Sequence, residues 1–168
     1  MISYKIDHNL TILDNMIESM DPLFDHIIER LKQLIEPRIS IDRVIFARTQ
    51  RKLLEMIRKY AKFTYHDFIA VLIYVDRLFA VPPEKFLNQR SYNRILLILI
   101  ILYSKMYNDH YYSDAFYGRL TMTNIHHLRE IQCDVLANLP LFISCKQFED
   151  KLQSYSDPTI VSSDHITL

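Results

Sequence analysis

Apolar residues in this chain recur mostly three and four positions apart, and in one place they run without interruption. Within SYNRILLILIILYSKMYND, residues 91–109, the nine residues Ile95 to Tyr103 are all apolar. No face of a helix built from that run can be left to water. A membrane span needs about 18–20 such residues, and this run is bracketed by Arg94 and Lys105. It is too long for a typical strand and holds no turn signal, so it predicts a helix enclosed on nearly all sides. An enclosed helix needs others around it, and the expected fold is therefore all-α.

The bracketing charges are eleven positions apart, about three helical turns, so they share nearly one face with Ile98 and Ile101 between them. That spacing predicts a stripe of Arg94, Ile98, Ile101 and Lys105 as the line of the helix that reaches the surface. Two charges that merely snorkel from the helix ends satisfy the same spacing, and periodicity alone favours that simpler reading.

The remaining elements follow from shorter patterns. Leu10, Leu13, Ile17 and Met20 predict a short first helix. Asp21-Pro22 reads as an N-cap and a first helical position, ahead of a stripe of Leu23, Phe24, Ile27, Ile28, Leu31, Leu34 and Ile35 that ends at Pro37. After a linker near Arg38 to Ile45, Leu53, Leu54, Ile57 and Tyr60 mark another amphipathic helix. Thr64 with Asp67 forms a capping box for a helix through HDFIAVLIYVDRLFA, apolar nearly all round and stopped by Val81-Pro82-Pro83. A short polar-aromatic stretch, HYYSDAFYGRL, follows the central helix. Ile125, Leu128, Ile131, Val135, Leu136 and Leu139 then line one helix face, with Gln132 on or beside it and in need of hydrogen-bond partners. Ser144 and Gln147 cap a last helix, and from Ser154 the chain is expected to be a disordered polar tail. The expected organisation is an N-terminal helical extension over 1–37, a central box over 38–143, a C-terminal helix over 144–153 and the tail over 154–168.

Composition narrows the function. The 168 residues suit one domain, and twenty acids balance twenty bases, so no general attraction to nucleic acid or membrane is expected. Locally the balance shifts: residues 38–62 hold eight bases against Asp42 and Glu55. Arg48, Arg51 and Lys52 in that segment are candidates for docking acidic or phosphorylated substrates, although a solvated helix face is the commoner use of such charges. A single glycine, Gly118, excludes Gly-rich phosphate loops. Cys133 and Cys145 form neither a disulfide framework nor a zinc site. The first ten residues, MISYKIDHNL, lack a signal peptide's apolar core, so an intracellular setting, cytoplasm or nucleus, is expected. His126 and His127 point about 100° apart on a helix and cannot chelate together, and His126 with Glu130 lacks a third ligand. No catalytic residue, cofactor or metal is expected, and the protein is not read as an enzyme.

YVDRL (74–78), SYNRIL (91–96), LYSKMYND (102–109), YYSDAFYGRL (111–120) and NIHHLREIQCDVLANL (124–139) resemble the cyclin box, and specifically the single-box P/U-type cyclins related to the yeast phosphate-pathway cyclin. That family reads approximately YIDRL, NVHRLL, ASKFLDD, YYSNxxYAKVGG and LEELNRLExxFLxxL in this order and spacing. The resemblance implies a five-helix box around the central helix, and a regulatory subunit that binds and activates a cyclin-dependent protein kinase by positioning its αC helix. It assigns kinase binding to Lys105 and to position 132, where Gln132 replaces the family's glutamate, and the stripe read from spacing adds Arg94, Ile98 and Ile101 to the expected interface. Asp76 and Asp109 fall on the family's structural aspartates, but the arginine expected to pair with Asp76 falls on Met56, leaving Asp76 to find another cation, such as Arg58 or Arg77, or to stay solvated. Thr121-Met122 replaces the family's Gly-Gly. Kinase substrates or an inhibitor protein are the further partners implied. A cyclin-fold adaptor that activates no kinase is the alternative, favoured by Gln132 and Met56.

Overall fold

A computed structural model describes residues 20–156, which form seven α-helices and two short 3-10 turns with no strand among them. The helices are α1 (Met20–Ile35), α2 (Arg43–Tyr60), α3 (Tyr65–Leu78), α4 (Ile95–Tyr107), α5 (Asp114–Thr121), α6 (Ile125–Leu136) and α7 (Cys145–Ser156). The 3-10 turns, Pro83–Lys85 and Tyr92–Arg94, lie between α3 and α4.

The unbroken apolar run is the centre of the molecule. Every residue from Ile95 to Ser104 is buried, and α4 packs between α3 and α6. Helix α3 is the second most enclosed element, with Phe68 to Val75 all buried, and it also supports α1 and α7. The apolar stripe of α1 faces inward as its spacing requires, and Phe24 meets Phe68 edge to face at 4.8 Å.

Burial of α4 overturns the surface stripe. Ile98 and Ile101 are wholly inaccessible, at 0% exposure each, so neither can meet a partner. Arg94 is not on the helix proper; it ends the 3-10 turn that leads into it. A helix packed on opposite sides has no apolar line left to expose, and only its C-terminal turn, from Lys105, reaches water.

Helix ends follow the local chemistry. The Thr64 backbone N–H and hydroxyl both donate to the Asp67 carboxylate, at 2.7 and 3.0 Å, while Asp67 also accepts from the Tyr103 hydroxyl at 2.5 Å. Ser144 and Gln147 exchange side-chain and backbone bonds at 3.1 Å each, a complete capping box for α7. Helix α2 begins at Arg43, inside the expected linker, because the Asp42 carboxylate accepts from the N–H groups of Val44 and Ile45 at 3.0 Å. In α1, Met20 and Asp21 are already helical ahead of Pro22; the first helix predicted over Leu10 to Met20 lies outside the described residues except for Met20, which opens α1 instead. The polar-aromatic stretch contains a full helix, α5, and α7 continues through Ser156, past the expected start of the tail; residues 157–168 lie outside the described range.

The turn between α5 and α6 is made by methionine. Met122 takes a left-handed conformation, φ 53° and ψ 38°, and its side chain is 93% exposed. The Thr123 N–H reaches back to the Gly118 carbonyl at 2.9 Å, so closely that a Cβ on Gly118 would lie 2.9 Å from the Thr123 carbonyl oxygen. Glycine is needed at 118 for the close approach.

Asp76 is where the two flanking helices meet the box. Its carboxylate accepts from Arg30 Nε of α1 at 2.9 Å and pairs with Lys151 of α7. Neither Arg58 nor Arg77 is its cation: Arg58 turns to the Met20 sulfur, and Arg77 donates to the Pro140 carbonyl and to Gln147. Position 56 could be methionine because the cation comes from outside the box. Asp109 holds nothing together; it is exposed after α4 and makes no ion pair among the described residues.

Candidate functional site

Three helix segments converge where α4 emerges from the core. The last turn of α4 carries Lys105, the first residue of α5 is Asp114, and the middle of α6 supplies Arg129 and Gln132. Ser113 caps α5 by accepting from the Phe116 N–H at 3.2 Å, which fixes Asp114 at the first helical position, where a carboxylate also suits the helix dipole.

Lys105 Nζ lies 2.7 Å from Asp114 Oδ1 and donates to Gln132 Oε1 at 3.0 Å. The Gln132 amide donates to Asp114 Oδ1 and Arg129 Nε to Asp114 Oδ2, both at 3.4 Å. Exposure grades outward: Gln132 is buried, the Asp114 side chain is 10% exposed, Lys105 35% and Arg129 58%. Burial pushes the Asp114 carboxyl upward, but the hydrogen bond and charge of Lys105, with Gln132 and Arg129, outweigh it and hold the group below the usual carboxylate range. Asp114 is thus ionised at neutral pH. An ammonium has three donors, and two of Lys105's are taken inside the site, which leaves one for a neutral acceptor such as a main-chain carbonyl. Met106, Tyr111, Tyr112 and Leu136, on or beside the same helices, are exposed apolar side chains of the kind that binding surfaces use.

Of the residues expected here, Lys105 and Gln132 come together, and Arg94 does not. Arg94 lies at the other end of α4, where with Lys52, Leu53, Met56 and Met122 it lines a separate cleft of about 230 Å³. The basic trio is also divided. Arg51 is bound to Asp21 at 3.3 Å and to Asp25, both on α1, whereas Arg48 and Lys52 are exposed. Asp114 is the site residue that spacing did not reveal. The available signal was a pair of differences from the quoted family pattern, which has Asn where this chain has Asp114 and Glu where it has Gln132.

His126 and His127 lie at the N-terminus of α6, whose cap Asn124 accepts from their backbone N–H groups at 2.8 and 3.4 Å. Among the described residues no three His, Cys, Asp or Glu side chains are grouped to hold a metal ion, and no helix is long and apolar enough to cross a membrane.

Known proteins are similar to this sequence over half of its length or more. The family described as Cyclin matches residues 18–157. Cyclin-P3-1 of Oryza sativa subsp. japonica is 27% identical over 85 residues, 51% of this chain and 36% of its own. Cyclin-U4-2 of Arabidopsis thaliana is 23% identical over 150 residues, 80% of this chain and 69% of its own. A protein of Schizosaccharomyces pombe described as PHO85 cyclin-like protein psl1 is 32% identical over 111 residues, 62% of this chain and 42% of its own. The chain therefore spans well under half the length of some of these relatives, and no solved structure matches it significantly. A buried central helix inside an all-helical bundle, with the family match running from before α1 to the end of α7, places this protein in the cyclin family.

Proposed function

We propose that the chain is a regulatory cyclin subunit that binds a cyclin-dependent protein kinase and activates it by holding the kinase αC helix inward. Catalysis would belong wholly to the kinase, whose Lys–Glu pair and metal site assemble only when αC is in place. The observation that carries the reading is Lys105. It stands at the one turn of the central helix that reaches water, oriented by Asp114 and Gln132, with one donor unspent. The likeness to P/U-type cyclins and to a PHO85 cyclin-like protein supports the same reading.

An activating contact must outweigh the kinase's preference for its inactive state, and such interfaces bury about 1,600 Å² in total. Of the basic trio, Arg48 and Lys52 are exposed and make no ion pair among the described residues, so they would meet acidic or phosphorylated segments of kinase substrates, whereas Arg51 is engaged by α1. The adaptor reading rested on Gln132 and Met56. It weakens because Asp114 supplies a carboxylate beside Lys105, and Arg30 with Lys151 supplies cations to Asp76.

The test is capture of kinases by the natural protein and by Lys105→Ala, followed by assay of the captured activity. Removing a charge-assisted interface contact costs about 1.5–3 kcal/mol, so affinity should fall tenfold or more. An active cyclin-dependent kinase that falls away in the variant supports the proposal. No kinase bound by the folded natural protein overturns it.

A further inference from the structure

We propose that Asp114 is the positioning acid of the Lys105 site, the one carboxylate that holds the lysine of α4 and the arginine of α6 in place. The inference rests on the kinase-binding reading for its functional consequence, but not for its structural content. Asp114 makes the shortest contact that Lys105 has, 2.7 Å, and it is the one anion in the group. Gln132 accepts from Lys105 yet cannot neutralise it. The same carboxylate also faces Arg129, so two cations on two helices share one anion whose side chain is only 10% exposed.

Without that charge, Lys105 and Arg129 would repel each other above a buried amide, and the lysine would lose the anchor that directs it. Exchanging the two side chains, Asn at 114 and Glu at 132, would still leave one carboxylate and one carboxamide around the lysine. The Gln132 amide nitrogen is 3.4 Å from Asp114 Oδ1, so the exchange moves the charge by little more than one hydrogen-bond length. A partner then meets the acid of this site at the start of α5 and not at position 132 of α6, which makes Asp114 a specificity determinant as well as a support.

The experiment compares Asp114→Asn, Gln132→Glu and the Asp114→Asn/Gln132→Glu double variant with the natural chain. Each is read by thermal unfolding of the isolated protein and by affinity for the kinase that the natural chain captures. Asp114→Asn should lower the melting temperature by about 3 °C and weaken kinase binding about tenfold. The double variant should recover both to near the natural values, a rescue that loss of packing alone would not show. Gln132→Glu alone should make the affinity pH-dependent in the acidic range, because a second carboxylate beside Asp114 is harder to ionise. An Asp114→Asn protein with natural stability and affinity, or a double variant no better than it, would overturn the proposal. If the natural chain binds no kinase, the proposed function fails by itself, and rescue of the melting temperature still decides whether Asp114 holds the position.

Discussion

Ile98→Ala separates a buried central helix from one with a surface stripe. The substitution removes three carbons from a side chain with no exposure to solvent. At about 0.8 kcal/mol per buried carbon, the transfer cost alone is roughly 2.4 kcal/mol. Its neighbours Leu97 and Leu99 are buried as well, and α4 is held between α3 and α6, so the site has little freedom to collapse. A residual cavity adds about 1–2 kcal/mol and brings the expected loss to about 3.5–4.5 kcal/mol, within the range seen for large-to-small core changes. In a chain of this size that lowers the melting temperature by about 10 °C. Urea unfolding followed by circular dichroism measures it, with an unchanged slope showing that the unfolded reference is the same. A solvent-facing isoleucine would lose under about 0.5 kcal/mol, so a loss that small would refute the burial on which the fold argument stands.

Other consequences are open to measurement. Met122→Gly should stabilise the protein by about 0.5–1 kcal/mol, since the left-handed conformation costs an L-residue about 1–2 kcal/mol and glycine returns part of that gain as chain entropy; a destabilised variant would count against the turn described. Burial raises the Tyr74 and Tyr103 hydroxyls, the latter also through its bond to Asp67, well above the ordinary tyrosine range. Their contribution to stability is thus present below about pH 10 and declines as pH rises beyond it, so absorbance at alkaline pH should show these two ionising only as the protein unfolds. Asp114 acts in the opposite sense. Its folded carboxyl titrates below the unfolded value near 4, so the stability it adds is present above that pH and is lost as pH falls further; Asp114→Asn should remove this component of the acid unfolding curve.

Much of the architecture is decided by local chemistry. Nine apolar residues in a row leave water no face of α4, and the capping pairs Thr64–Asp67 and Ser144–Gln147 close because their partners lie three residues apart. Those facts depend on near neighbours in the chain, and periodicity reports near neighbours faithfully. Lys105 and Gln132 were also legible, because motif order and spacing survive when overall identity is low.

What the tertiary structure decided involves residues brought together from far apart. Ile98 and Ile101 share a face with two charges, yet whether that face meets solvent depends on α3 and α6, which pattern along α4 does not encode. Asp76 takes its cations from positions 46 residues before and 75 residues after it, beyond any helical periodicity. Asp114 reads locally as an ordinary N-terminal acid of a short helix, and it becomes the anion of a site only because α4 and α6 bring Lys105 and Arg129 against it. Side-chain type and spacing fix which faces must be buried, whereas the partner of each charge is fixed by the packing of helices remote in sequence.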